Sequence, residues 1–267
     1  MANLLSLSRK PVTAPLVAVS SRYQSDTAVA QYCDAHYGPD KFGVANFPKQ
    51  IAQLCMTAQE GNPQRRALDL GCSVGRTTFE LATRFDQVTG IDYSARFIDI
   101  ARHIKKHGKI CYRLHDEGDL VSDHKATLAD FNLETTTSRV TFRQGDVQCL
   151  ETSISDYDLV LAANLIDRLP DPGNFLAKIH QRLVIGGLLV IASPYNWMER
   201  FTPKKQWLTC RLCCAGKPRT SLEGLSKKMA KHFIAVGEPQ EMEFVIRDTA
   251  RTFHHSISQV TLWRRTC

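Results

Sequence analysis

At 267 residues, 43% hydrophobic and 23% charged, the chain has the composition of an ordinary globular protein, long enough to bury a substantial core. No apolar run approaches the roughly 20 residues that span a bilayer, and 15 glycines and 11 prolines scattered without a period exclude collagen-like and low-complexity readings. The charge of +7, from 34 basic and 27 acidic residues, is distributed in pairs such as Lys204-Lys205, Lys227-Lys228 and Arg264-Arg265. Pairs of this kind read as a solvated basic surface, so no nucleic-acid partner and no membrane is expected.

Nine cysteines at irregular spacing fit reduced thiols in a cytoplasmic protein. Cys210, Cys213 and Cys214 form a C-x-x-C-C run, half of a zinc site by spacing, but no second Cys/His pair stands near it. His103 and His107 lie four apart on a helix, without the intervening Glu of a metalloprotease. No metal is expected. The first 25 residues contain no acid, and Pro11 and Pro15 interrupt any amphipathic helix, so residues 1–24 read as a flexible arm.

A first helix begins at Ser25/Asp26, which can cap it, carries Val29, Tyr32, Cys33 and His36 on one face, and ends at Gly38-Pro39. A second follows Phe47-Pro48 with Ile51, Leu54, Cys55 and Ala58 as its apolar stripe. Strands are then predicted at 67–70, 88–92, 140–146, 157–164 and 188–193, with helices at 75–84, 94–106 and 172–184 between them. A further helix over 220–233 opens with the capping box Thr220-x-x-Glu223. Two last strands, 243–248 and 259–264, have about ten residues between them and form an antiparallel hairpin. The alternation predicts an α/β, Rossmann-like architecture: a mostly parallel, seven-stranded sheet covered on both faces. Residues 25–267 then make one domain, with 25–62 as a helical cap and 107–139 and 196–219 as insertions.

The most informative stretch is Leu68-Asp69-Leu70-Gly71-Cys72-Ser73-Val74-Gly75-Arg76, a strand entering a glycine turn and then a helix. Small residues let the backbone approach a ligand closely. The turn lacks the G-x-G-x-x-G of nicotinamide sites. Its acid two residues before the first glycine and its G-x-x-x-G spacing resemble the first motif of class I S-adenosylmethionine methyltransferases. Val88-Thr89-Gly90-Ile91-Asp92-Tyr93 ends the second strand in an acid for the ribose hydroxyls. Gln144-Gly145-Asp146-Val147 ends the third with an acid and a backbone N–H suited to adenine. Residues 157–164, Asp171-Pro172 and Ile185-Gly186-Gly187-Leu188-Leu189-Val190 resemble the fourth strand, helix and fifth strand of that family. The resemblance implies S-adenosyl-L-methionine as cofactor, bound by Asp69, Gly71, Cys72, Ser73, Gly75, Asp92, Tyr93, Gly145, Asp146, Val147 and Asn164. Ser73 stands where that family commonly has glycine.

The D/N-P-P-Y box of nucleic-acid amino-methyltransferases is missing after Ala162-Ala163-Asn164-Leu165, and Ser193-Pro194-Tyr195 reads as a pocket loop. The string His36-Tyr37-Gly38-Pro39-Asp40-Lys41-Phe42-Gly43-Val44-Ala45-Asn46-Phe47-Pro48 resembles the start of the C-terminal methyltransferase domain of ovothiol synthases. So do Ala67–Glu80, Ala162–Pro172, Ser193–Trp197 and Phe244–Arg265. That resemblance implies N-methylation of the imidazole π nitrogen of 5-mercaptohistidine, or of its selenium counterpart in ovoselenol formation. An iron-dependent sulfoxide or selenoxide synthase would be the pathway partner. In-line approach by a neutral imidazole asks little acid–base work of the protein, so positioning and desolvation should dominate. Asn164, Tyr195 and His254 are the catalytic candidates. Substrate contacts are expected from Tyr37, Asn46, Phe47, Arg168, Tyr195 and His254, with Arg247 or Arg251 holding the carboxylate as a two-pronged donor. Methylation of another small metabolite, or a cofactor-binding accessory protein without catalysis, are the alternative readings.

Overall fold

The computed structural model describes Tyr23, residues 25–211 and residues 216–267. Cys213, Cys214 and nearly all of the N-terminal arm therefore lie outside the described residues. Two helices come first: α1 (Asp26–Tyr37), capped by Ser25, and α2 (Phe47–Ala58), capped by Asn46. Then follow β1 (Arg66–Leu70), α3 (Arg76–Leu81), β2 (Gln87–Asp92) and α4 (Ala95–His107), the last stopped by Gly108 in the left-handed region that ends many helices. The stretch 107–139 contains a separate hairpin, β3 (Lys109–Glu117) with β4 (Leu120–Thr127), and two short 3-10 turns. The remaining elements are β5 (Val140–Gln144), β6 (Tyr157–Ala163), α5 (Pro172–Lys178), β7 (Leu183–Ser193), α6 (Ser221–Met229), β8 (Phe233–Ala235), β9 (Gln240–Arg247) and β10 (Phe253–Arg265).

The sheet runs β5-β2-β1-β6-β7-β10-β8, with β9 also paired to β10. Strands β5 to β7 are mutually parallel, and β10 is antiparallel to β7, β8 and β9. Because β8 takes Arg265–Trp263 and β9 takes Val260–Phe253 along the same strand, they share one edge of β10, interrupted at Gly237 with φ +68. The sheet therefore has eight strands where the sequence pattern predicted seven. The residue at fault is Phe233, which extends the apolar spacing of α6 yet belongs to β8. The capping box at Thr220 and Glu223 is present.

Alternation along β6 shows that both faces are covered. Leu159 and Leu161 pack with α1, α2 and α4 through Cys33, Ile51 and Ile98, while Val160 and Ala162 pack with α5 and α6 through Phe175 and Leu225. Crossovers reverse direction at β1, whose neighbours are β2 and β6, and ligands in sheets of this kind bind outside the carboxyl ends at that point. Strand β10 reaches past it. Its last partner on β7 is Gln259 opposite Ser193, so Phe253–Ser258 project beyond the edge by ~20 Å at ~3.4 Å per residue.

The β3–β4 hairpin rises to meet this projection. Arg247 is ion-paired with Asp116, and the Ala250 N–H donates to the Asp116 carbonyl at 3.2 Å. From α1, Gln31 Nε2 donates to Asp248 Oδ1 at 2.8 Å. Three segments distant in sequence thus close over the carboxyl edge.

The turn after β1 is packed tightly enough to be tested. Gly75 has φ +91, and a Cβ there would stand 2.7 Å from the Phe142 ring and 3.1 Å from Ala101 Cβ. Gly75→Ala is expected to lose about 2–4 kcal/mol in urea unfolding, from a forbidden backbone angle plus a core clash. Unaltered stability would mean that the turn does not rest on β5.

Candidate active site

The turn after β1 is fastened to the end of β2. Gly71 N and Cys72 N both donate to the Ile91 carbonyl, at 2.8 and 3.1 Å. One residue further on, Ser73 N donates to Asp92 Oδ2 at 2.9 Å, and Ser94 N donates to Asp92 Oδ1 at 2.8 Å. The Tyr93 N–H also bonds this carboxylate, which with three backbone donors retains capacity to accept from a ligand hydroxyl. Burial pushes Asp92 up to about 6, against the pull of these N–H donors. Asp69 lies deeper, 2% exposed, with the Thr78 hydroxyl donating to it at 2.7 Å, and burial pushes it up to about 7. Gly71 is needed for close approach, since a Cβ there would meet Leu165 at 3.2 Å. Cys72 contributes backbone only, its side chain being part of the core.

Ser73 adopts φ +50, and its Oγ is buried without a hydrogen-bond partner. A hydroxyl left this way costs on the order of 1–3 kcal/mol unless a ligand completes it. The acceptor at Asp92 and the small hydroxyl at Ser73 suit the ribose and methionine parts of S-adenosylmethionine. Gly145 N donates to the Asp92 carbonyl at 3.0 Å, bringing Gly145, Asp146 and Val147 beside Asp92. Asp146 Oδ1 accepts from Gln148 N at 2.9 Å, Val147 is buried, and Tyr93 stands at the rim, 41% exposed.

Two of the three catalytic candidates stand at the same edge. Asn164, with φ +52, follows β6, and Tyr195, with φ +50, follows β7. Asn164 N donates to the Ala192 carbonyl at 2.8 Å, and Asn164 Oδ1 accepts from Ser258 Oγ at 2.6 Å. Tyr195 OH donates to Gln259 Oε1 at 3.4 Å, and burial pushes this phenol up to about 12, so it stays protonated. His254 is exposed on β10, four residues beyond Ser258, hence roughly 13 Å further from the edge.

Several substrate candidates hold the fold together. Asn46 caps α2 by accepting from Lys49 N, and its amide donates to the Ala35 and His36 carbonyls at 3.1 and 3.2 Å. Its side chain is thereby committed to the α1–α2 corner. Tyr37 is 4% exposed and donates from OH to the Val74 carbonyl at 2.9 Å, bracing the turn from behind. Phe47 packs on Phe244 with centroids 5.5 Å apart. Arg168 is bonded to Asp167 Oδ2 at 2.8 Å and the Asn196 carbonyl at 2.9 Å, so its Nη1 ties the turn after β6 to the loop after β7. Arg247 is occupied by Asp116, while Arg251 is exposed at the hairpin turn.

Other residues escaped the sequence pattern. Tyr32 lies 4.9 Å from Phe97 and 5.9 Å from Tyr23, whose ring stacks on Phe201 at 6.4 Å. Ser94 Oγ donates to the Tyr23 carbonyl at 2.9 Å, so these rings cover the Asp92 side of the crevice. The Tyr32 spacing in α1 was visible, but its facing partners come from remote segments. Among the described residues no three His, Cys, Asp or Glu side chains are placed to hold a metal ion, and no helix is long and apolar enough to cross a membrane.

The buried carboxyls carry a pH signature. Asp69 and Asp92 keep protons in the folded chain up to about 7 and about 6, whereas unfolded carboxyls release theirs near 4. The folded state binds more protons in that window, so stability falls as pH rises from about 4 to about 7. Asp69→Asn should flatten this slope in urea unfolding, recovering on the order of 2 kcal/mol at pH 7 relative to pH 4. Parallel curves for the two proteins would place the proton elsewhere.

Residues 68–189 match the family model described as a methyltransferase domain. The chain is 29% identical over 136 residues to the trans-aconitate 2-methyltransferase of Deinococcus radiodurans, a stretch covering 50% of this chain and 40% of that protein. The chain thus spans about two fifths of that relative's length. Magnesium protoporphyrin IX methyltransferase from Synechocystis PCC 6803, solved with bound S-adenosylmethionine, is similar with a TM-score of 0.57 and 14% identity, over 97% of this chain and 100% of that one. The cyclase SpnF is similar with a TM-score of 0.58 and 14% identity, over 93% and 96%. At such identities the structural likeness is one of fold. Residues 68–189 thus match a methyltransferase domain, and the chain, with this strand order and the glycine turn at its centre, has the Rossmann-like fold of class I, S-adenosylmethionine-dependent methyltransferases.

Proposed function

We propose that the chain binds S-adenosylmethionine at the Ser73–Asp92 crevice and directs methyl transfer to the imidazole π nitrogen of a 5-thio- or 5-seleno-substituted histidine. The observation that carries the cofactor half is the buried Ser73 hydroxyl without a partner, beside an Asp92 carboxylate with acceptor capacity to spare. What supports the substrate half is convergence. Four of the five runs that resemble the ovothiol-synthase domain meet around one edge: Phe42 on Phe253, Phe47 on Phe244, Asn164 on Ser258, and Arg168 on Asn196.

When bound, S-adenosylmethionine supplies a sulfonium methyl group whose carbon–sulfur bond breaks as the new carbon–nitrogen bond forms. Asp92 accepts hydrogen bonds from the ribose hydroxyls, and the Ser73 hydroxyl bonds the methionine moiety. Asn164 and Tyr195 bound the side from which the imidazole approaches, and the aromatic rings of Tyr32 and Phe201 exclude water. Arg247 keeps the β9–β10 hairpin docked on the β3–β4 hairpin. The imidazolium formed by methylation releases the proton of its other ring nitrogen to solvent. Excluding water from the approach favours a neutral nucleophile meeting a cationic methyl donor.

The decisive measurement is methyl transfer followed by mass spectrometry with histidine, 5-mercaptohistidine, 5-selenohistidine, trans-aconitate and a structured RNA. Product from the chalcogen-bearing histidines and little from histidine is expected. Product from trans-aconitate alone would transfer the relative's substrate class to this chain and overturn the reading. Arg247→Ala is expected to lower the melting temperature by a few degrees, and Asp116→Ala to lower it by a similar amount.

A further inference from the structure

Ser258 lies on β10 just beyond the last residue paired with β7, and it is 0% exposed. A hydroxyl so placed needs an acceptor for its proton, because leaving it unpaired in the interior costs on the order of 1–3 kcal/mol. Among the described residues its partner is Asn164 Oδ1, at 2.6 Å. That single requirement sets which way the Asn164 amide faces. If the amide were turned over, two N–H groups would confront the hydroxyl and its proton would have no acceptor. The Asn164 backbone is fixed as well, with φ +52 and its N–H on the Ala192 carbonyl at 2.8 Å. With Oδ1 committed to Ser258, Nδ2 and its two N–H groups are left for the crevice. The next residue, Leu165, lies against the glycine turn, where a Cβ on Gly71 would approach it to 3.2 Å.

We infer that Ser258 is a positioning residue that fixes the hydrogen-bond polarity of Asn164, so that the site offers donors and selects a methyl acceptor bearing an anionic, lone-pair-bearing atom near the reacting nitrogen. This rests on the methyl-transfer reading above. It narrows the substrate class to molecules such as amino acids with a carboxylate or a chalcogenolate by the ring, and it rejects acceptors that present only N–H or O–H donors there. Asn164 touches the substrate, and Ser258 acts through Asn164.

The test combines a spectroscopic readout with a mutant cycle, on the full chain saturated with S-adenosylmethionine. In a side-chain amide 15N–1H spectrum, the Asn164 Nδ2 proton pair is assigned by its disappearance in Asn164→Ala. A single sharp pair is expected in the natural protein, shifted and broadened in Ser258→Ala as the amide loses its fixed orientation. An unchanged pair overturns the proposal, whatever the substrate proves to be. In the cycle, Ser258→Ala should lower kcat about tenfold, with the cofactor Kd changed by less than about twofold. In an Asn164→Ala background the same change should do nothing further. Equal losses in both backgrounds would make Ser258 merely structural. Ser258→Cys, nearly the same size with a weaker donor, should fall between the two and guards against a packing artefact. Asn164→Asp keeps an acceptor for Ser258 but turns a carboxylate into the crevice, and it should lower transfer to anionic acceptors at least 100-fold. Transfer retained in that variant overturns the claimed selectivity. Absence of transfer to every acceptor in the panel by the natural protein would sink the substrate reading while leaving the amide spectrum to judge Ser258.

Discussion

The position of the crevice depends on Asp92. A half-buried carboxylate is costly unless hydrogen bonds replace lost water, and here the donors include the backbone N–H groups of Ser73 and Ser94, at 2.9 and 2.8 Å. These two bonds do more than satisfy a charge. They pull the turn after β1 against the start of α4 and fix the spacing between the first two strands at their carboxyl ends. With Gly71 and Cys72 also on the Ile91 carbonyl, the turn has no freedom to fold back over the crevice it borders. Tyr37, from α1, braces the same turn from the other side through the Val74 carbonyl.

Around this fixed floor the walls come from segments far apart in sequence, and they are joined chiefly by polar contacts. Arg247 and Asp116 are 131 residues apart, and Gln31 and Asp248 are 217 apart. Polar junctions at the end of two hairpins hold less firmly than the apolar layers on the sheet faces, since half-buried ion pairs contribute little net energy. The rim is therefore the part of the molecule best suited to open and close, while the Asp69–Thr78 and Asp92–Ser73 contacts remain rigid. Arg168, shared between Asp167 and the Asn196 carbonyl, ties the loops after β6 and β7 into the rigid part.

What the sequence shows plainly is what local chemistry dictates. Ser25, Asn46 and the Thr220–Glu223 box each mark a helix start by the side-chain acceptors that free N–H groups require. The alternation of strand and helix specifies a parallel sheet, and the glycine turn marks its centre. The readings that failed involved residues with two possible partners. Asn46 stands just before Phe47-Pro48, a pattern that signals a cap, yet its amide was equally suited to a substrate. Arg247 was a candidate for a substrate carboxylate or for a neighbouring acid, and the acid it takes comes instead from the remote β3–β4 hairpin. Ser258 carried no local signal at all, since its meaning lies in a residue 94 positions away. Phe233 misled because one apolar residue continues a helical stripe as readily as it begins a strand.

Ser73, Asn164 and Tyr195 adopt φ of +50, +52 and +50, each just past the carboxyl end of a parallel strand. Glycine would relieve the left-handed backbone at all three, by roughly 1–2 kcal/mol each. Three such residues gathered at one edge of one sheet are not what stability alone would leave in place. Side chains kept where glycine is easier are side chains in use, and their chemistry is consistent: a hydroxyl, a carboxamide and a phenol, all able to donate, none charged. In the proposed reading, Asp92 keeps its charge for the cofactor's hydroxyls, and the uncharged polarity of these three side chains would face the reacting nitrogen. A neutral nucleophile meeting a sulfonium needs that division, since a fixed negative charge at the methyl group would stabilise the ground state at least as much as the transition state.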